Sequence, residues 1–185
     1  MKGQLFVLSG PGGVGKTTVA LALLEQIPTL ERVVTMTTKQ PRPSEVDESD
    51  YFFVSEAEFR RHVASGDFLE HAEVYGQDFY GTPRAAIDAV INAGKQALLV
   101  IDVHGGGQVK AHYPSAQLIF LLPPSLEELK RRLLTRGEDD VAAINARLHE
   151  ATREIEIGRV KYDHCVVNDK LERAVAEIEA IITAL

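Results

Sequence analysis

The apolar positions of this chain follow two rhythms. Short continuous runs, Leu5-Phe6-Val7-Leu8, Ala97-Leu98-Leu99-Val100-Ile101 and Leu118-Ile119-Phe120-Leu121-Leu122, have strand length and no alternating polar face, so they predict parallel strands covered on both sides. Other stretches repeat at helical spacing. Val19, Ala22, Leu23 and Ile27 mark a helix from Lys16 to about Ile27, and Leu171, Val175, Ile178 and Ile182 mark a closing amphipathic helix.

Punctuating residues set the order of the remaining elements. Pro28 ends the first helix, and Arg32-Val33-Val34-Thr35 reads as a second strand. From Thr37 to Asp50 the chain is polar and proline-rich, and Pro41 and Pro43 flank Arg42 in a loop whose shape the rings restrict. Tyr51 to Val54 has strand composition. Ser55 with Glu58 forms a capping box for a helix ending near Gly66, followed by strands at Phe68 to Val74 and Phe79-Tyr80. Pro83 starts another helix, Gly94 ends it, and the next apolar run finishes in Asp102. Pro123-Pro124 stops the strand at Leu118 to Leu122, and Ser125 with Glu128 caps a helix reaching Arg136. Gly137 to Asp140 breaks that helix. A long helical stretch to about Lys161 and a strand at His164 to Val167 precede the closing helix. The order predicts an α/β fold: an open, mostly parallel sheet with helices on both faces, a small inserted lobe, and ligands gathered at the carboxyl ends of the strands.

A length of 185 residues suits one compact unit. No apolar run approaches the roughly 18 residues of a membrane span, and the N-terminus has no secretory h-region, so the cytoplasm is the expected compartment. A formal net charge of −7 opposes a nucleic-acid backbone. Cys165 is the only cysteine, which excludes an internal disulfide, and Cys165-Val166-Val167 reads as a buried strand. His104 and His112 share a predicted helix but lie eight residues apart, without zinc-ligand spacing, and read as ordinary histidines.

The sharpest chemical signal is Gly10-Pro11-Gly12-Gly13-Val14-Gly15-Lys16-Thr17, a complete G-x-x-x-x-G-K-[ST] between a predicted strand and a predicted helix. Glycines let successive backbone N–H groups turn inward around phosphate oxygens. Lys16 adds charge at the β and γ phosphates, the Thr17 hydroxyl is placed to hold Mg²⁺, Thr18 continues the helix start, and the helix dipole points at the anion. The motif names a P-loop protein without choosing among GTPases, ATPases and small-molecule kinases.

Further motifs make that choice. Thr37 to Val46, Asp50 to Val54, Phe68 to Val74, Tyr80-Gly81-Thr82, Ile101-Asp102-Val103, Leu122 to Ser125, Arg136-Gly137 and Val167-Asn168-Asp169 resemble, in order and spacing, the motifs of guanylate kinases over nearly the whole chain. The resemblance implies a three-layer P-loop NTPase fold with a GMP-binding lobe at 35–81, a lid at 131–162, and a core from 1–34, 82–130 and 163–185. It implies transfer of a phosphoryl group from MgATP to GMP, and to dGMP, with ATP as co-substrate and Mg²⁺ as the metal. Thr35, Glu70 and Asp102 would read guanine, with Thr82 beside them. A carboxylate accepts from both N1–H and N2–H₂ of guanine and finds no such donors on adenine. Lys39, Arg42, Tyr51 and Tyr80 would surround the GMP phosphate. Arg132 and Arg136, four apart on one helix, together with Arg147, resemble lid arginines that close over ATP beside catalytic Lys16.

Five positions depart from the family pattern. Lys39 stands in place of a usual arginine, Val100 where an acid is common, and His104 in place of glutamine, while Gly12 and Thr35 replace serines more mildly. Lys39, Val100 and His104 keep open a kinase of this fold with a changed acceptor, and the resemblance also keeps open a non-catalytic binding module, since guanylate-kinase-like domains serve as interaction scaffolds too. The expected partners are GMP and ATP, without nucleic acid or membrane, and a homodimer is left open.

Overall fold

The computed structural model describes residues 3–43, 45–74, 78–136 and 141–184, without the side chains of Val74, Arg136 and Val141. Its larger sheet is all parallel. β1 (Leu5–Ser9) lies at the centre, between β7 (Gln96–Val100) and β8 (Gln117–Leu122), with β2 (Leu30–Arg32) and β9 (His164–Val167) at the edges. Leu5 and Val7 of β1, Leu99 of β7, and Leu118, Phe120 and Leu122 of β8 face one layer. There they meet Ile87, Val90 and Ile91 of α3 (Arg84–Asn92), Val109 of α4 (Val103–His112) and Tyr162, just past the end of α6 (Val141–Lys161). Phe6, Leu8, Leu98, Ile119 and Leu121 alternate to the other face, against α1 (Lys16–Gln26) and α7 (Leu171–Thr183). Two covered faces are the reason these strands read as unbroken apolar runs. Among the described residues no helix is long and apolar enough to cross a membrane.

The predicted strand across Arg32 to Thr35 is two strands in two sheets. β2 ends at Arg32, and β3 (Thr35–Thr37) begins a second sheet of order β4-β3-β6-β5, with β4 (Tyr51–Phe53), β5 (Phe68–Val74) and β6 (Asp78–Pro83). A continuous β-branched run carries no mark of a change of sheet; the break falls where the Val33 N–H bonds to Leu98 O while the chain turns away. The Ser55 hydroxyl accepts from Glu58 N at 3.2 Å and Gly66 closes α2 (Glu56–Ser65) in the left-handed region, as the capping pattern predicts. Cys165 corrects a second expectation. It is exposed, because β9 is an edge strand with only one neighbour.

Register explains what the smaller sheet presents. Tyr51 pairs with Thr35 and Glu70 with Thr82, and continuing the β3–β6 register brings Thr35 level with Thr82, so these four side chains form one row on one face. The next row on that face carries Phe53, Thr37, Tyr80 and Ala72. A register shift between Phe68 and Glu70 lets two residues that would otherwise share a face point apart. Phe68 thereby meets Phe59 of α2, ring centroids 4.7 Å apart, while Glu70 faces the opposite way with Thr82.

Candidate active site

The phosphate loop leaves β1 at its carboxyl end and enters α1. Gly10, Gly13 and Gly15 have φ of 151°, 84° and 105°, which only glycine adopts without strain, whereas Gly12 has no positive φ. A side chain at Gly15 would also meet Asn168 Nδ2 at 2.6 Å. Asn168 donates to Val14 O at 2.8 Å, fixing the far side of the loop. Lys16 Nζ donates to Gly10 O at 2.5 Å and Pro11 O at 3.2 Å, so the loop closes around its own lysine. Thr17 and Thr18 are exposed, and α1 carries no acid in its first turn to compete for its N–H groups. That terminus suits an anion.

Beside the loop, the ends of β1 and β7 are held to α4 and α6 by a buried network. Tyr162 donates to Ser9 Oγ at 2.7 Å, and Ser9 donates to Asp102 O at 3.1 Å. Burial pushes the Tyr162 phenol well above its ordinary range, so it stays a donor. Asp102 caps α4: its Oδ1 accepts from the N–H groups of His104 and Gly105, each at 2.8 Å. A Cβ at Gly105 would stand 2.7 Å from Glu70 Oε2, and one at Gly106 would overlap the Tyr162 hydroxyl. The glycines at 105 and 106 let α4 approach both groups.

Glu70 is 2 % exposed, unusual for a carboxylate, which ordinarily stays in solvent. Thr82 Oγ1 donates to Glu70 Oε1 at 2.5 Å. Burial raises the Glu70 carboxyl from 4.5 to about 7; the Thr82 hydrogen bond pulls it down and the charge of Asp102 pushes it up. The structure thus gathers Glu70, Thr82, Thr35 and Asp102, with Glu70 lying against the first turn of α4. Gln108 of α4 secures the junction. Its side chain accepts from His71 N at 3.3 Å and donates to His71 O at 3.0 Å, satisfying the backbone beside Glu70 like a short extra strand.

Lys39, Tyr51 and Tyr80 meet at the other end of this face. Lys39 Nζ lies 4.8 Å from the Tyr51 ring centroid and bonds Glu45 Oε1 and Oε2 at 2.5 and 2.7 Å. The Tyr51 and Tyr80 rings are 5.9 Å apart, edge to face. Burial pushes Tyr80 up to about 12, with the charge of Arg42 opposing, which puts Arg42 in the same group. Glu45 Oε2 also accepts from Arg42 N at 2.8 Å, so one carboxylate organises the proline loop.

The predicted lid arginines divide. Arg132, on α5 (Leu126–Arg136), donates to Val14 O at 3.2 Å, Asn168 O at 2.9 Å and Glu128 Oε1 at 2.9 Å, bracing the back of the phosphate loop. Arg147 is half-buried on α6. Arg136 ends α5 with its side chain outside the described residues, as are Gly137 to Asp140, the predicted break. Leu129, Leu133, Ile144 and Ala151 join α5 to α6, and a Cβ at Gly13 would stand 2.7 Å from Leu133, so this helix pair rests directly on the loop.

No group of three His, Cys, Asp or Glu forms a metal cage among the described residues. Oxygen donors beside the loop are the Thr17 hydroxyl and the carboxyls of Asp102 and Glu154, a set suited to a hard cation that keeps most of its waters. Glu154 escaped the sequence reading. The available signal was an acid on the stripe Ala151, Gly158, Tyr162, which is otherwise small or apolar and buried.

Comparison with known proteins gives one answer. The family model described as guanylate kinase matches residues 2–185. A guanylate kinase of Thermus thermophilus is 50% identical over 184 residues, covering 100% of this chain and 82% of the relative. One from Symbiobacterium thermophilum is 46% identical over 183 residues, covering 99% and 86%. Among solved structures, the crystal structure of guanylate kinase from Anaplasma phagocytophilum superposes with a TM-score of 0.82 at 35% identity, covering 99% of this chain and 86% of that one. A gluconokinase from Sinorhizobium meliloti 1021, with a TM-score of 0.55 at 17% identity, shares the fold.

Proposed function

This chain belongs to the guanylate kinase family, and we infer from its cleft how it carries a phosphoryl group from ATP to GMP. ATP and GMP become ADP and GDP: a GMP phosphate oxygen bonds to the γ phosphorus as the bond to the β–γ bridging oxygen breaks. The observation that carries the residue assignment is Glu70, a carboxyl buried opposite Thr82 where the smaller sheet meets the carboxyl ends of β1 and β7.

In this reading, the N–H groups of Gly10 to Thr17 surround the ATP phosphates, and Lys16 exchanges Gly10 O and Pro11 O for phosphate oxygens. Ionised Glu70 accepts from guanine N1–H and N2–H₂, held in place by Thr82, while Thr35 meets O6 and Asp102 takes the remaining amino hydrogen. Lys39, Arg42, Tyr51 and Tyr80 hold the acceptor phosphate at the other end of the same face, so one face of one sheet serves both the base and the phosphate of GMP. Arg132, Arg136 and Arg147 supply positive charge to the transferring group as the helix pair closes and excludes water. Thr17 would hold Mg²⁺, which would supply positive charge to the ATP phosphates. The cytoplasm, where these nucleotides are used, is the compartment this assignment implies.

The test is product balance. Protein mixed with ATP, GMP and magnesium should form ADP and GDP in equal amounts. ADP without GDP would leave a hydrolase, and ATP binding without either product would leave a binding module.

A further inference from the structure

Ala151, Glu154, Gly158 and Tyr162 follow at intervals of three, four and four residues, which places them along one side of α6 and its exit. Each of Glu154's neighbours on this stripe is fixed. Ala151 packs with Leu129, Leu133 and Ile144; Gly158 lies so near Phe120 that a Cβ would overlap its ring; Tyr162 bonds Ser9. Glu154 is therefore turned toward the sheet, 9% exposed, and its Oε2 is buried without a hydrogen-bond partner among the described residues. A buried acceptor that finds no donor among the described protein groups is rare in folded proteins and points to a donor from outside the chain.

The charges around it indicate what that group is. Burial raises the Glu154 carboxyl to about 7; the charge of Lys16 in the phosphate loop opposes the rise, and Asp102 and Glu150 add to it. Glu154 is thus within electrostatic reach of both the loop and the end of β7. Asp102 is already engaged, since its Oδ1 takes two N–H groups of α4. Val100, which pairs with Leu8 beside the loop, is apolar and packs into the core. Among the described residues, Glu154 is the carboxyl here with an unused buried acceptor.

We propose that Glu154 is a positioning residue for the metal ion bound with ATP, its carboxylate accepting a hydrogen bond from one of the ion's water ligands. Bound metal and nucleotide thereby give Glu154 a donor and tie α6, the helix that carries Arg147, to the phosphate loop. The inference rests on the MgATP reading above. It assigns α6 a second task besides delivering an arginine: it senses whether metal and nucleotide are in place.

The experiment is ATP binding by calorimetry, with EDTA and across a magnesium series, for native protein and Glu154→Gln, with Mn²⁺ binding in the presence of ATP read by electron paramagnetic resonance. Outer partners of metal ligands typically change metal affinity 10- to 100-fold. Glu154→Gln should weaken metal binding to the ATP complex by about that factor, while metal-free ATP affinity stays within about twofold, which also shows that the variant is folded. Equal metal affinity in the two proteins would overturn the proposal. So would a loss of ATP affinity of the same size with and without metal, which would make Glu154 a partner of Lys16 alone. If native protein binds ATP no better with metal, the MgATP reading falls and this inference with it.

Discussion

Replacing Glu70 by glutamine should have opposite effects on the free protein and on its complex with GMP. The folded carboxyl titrates at about 7 instead of 4.5, so between those pH values the native protein holds a proton that the unfolded chain has lost. Stability therefore falls as pH rises through this window, and above pH 7 the charged, buried form carries a penalty on the order of 3 kcal/mol, at about 1.4 kcal/mol for each pH unit. Glutamine has nearly the same shape and does not titrate, so its own packing cost is the same at every pH. The stability of Glu70→Gln relative to native, from urea denaturation at pH 4.5 and pH 8, should rise by on the order of 3 kcal/mol between the two. GMP responds the other way. Ionised Glu70 offers two acceptors to guanine, each charge-assisted bond contributing about 1.5–3 kcal/mol, and glutamine turns one acceptor into a donor that faces a donor. The variant's kcat/KM for GMP should fall by roughly 10²–10⁴-fold, with metal-free ATP affinity unchanged. A stability difference independent of pH would refute the burial argument. A loss for GMP of less than about threefold would refute the guanine contact.

Other substitutions probe the surroundings of that carboxyl. Thr82→Val removes the hydrogen bond that lowers the Glu70 pKa; the pH at which GMP affinity reaches half its plateau should move upward, and affinity at pH 7 should drop about tenfold by calorimetric titration. The glycine run of α4 separates close approach from open surface. Nothing lies within 4 Å of a Cβ at Gly107, whereas one at Gly106 overlaps Tyr162. Gly107→Ala should therefore stabilise the protein by up to about 1 kcal/mol, and Gly106→Ala should destabilise it, both read from thermal or urea unfolding.

Much of this architecture is legible in the residue order. Unbroken apolar runs such as Leu118 to Leu122 announce a sheet covered on both faces, and Ser55 with Glu58 and Gly66 delimits α2 at both ends, because capping is a local interaction. What depends on distant partners is not legible. Arg32 to Thr35 has uniform strand composition, yet it passes from one sheet to the other, since each half pairs with strands far along the chain. Cys165 looks internal by its neighbours and is exposed because the sheet ends at β9.

The site divides in the same way. The phosphate loop is contiguous, so its chemistry is readable from Gly10 to Thr17. The row Tyr51, Thr35, Thr82, Glu70 exists only through register, and the bulge that turns Glu70 away from Phe68 leaves no local signature. Family resemblance located Glu70; its burial and its bond to Thr82 came from the fold. Asn168 and Glu154 lie more than a hundred residues along the chain from the phosphate loop, and the fold is what leaves one oxygen of an ordinary helical acid buried without a partner among the described residues.

Discrimination between purines is the property that Glu70, Thr35 and Asp102 control. The measurement is kcat/KM for GMP and for AMP, with MgATP as donor, on native protein at pH 8, where Glu70 is ionised. Adenine offers neither N1–H nor a 2-amino group, so a buried carboxylate facing it is left without partners, and the ratio in favour of GMP should be about 10⁴ or more. A ratio near one, or AMP ahead of GMP, would contradict the claim that Glu70, Thr35 and Asp102 read guanine.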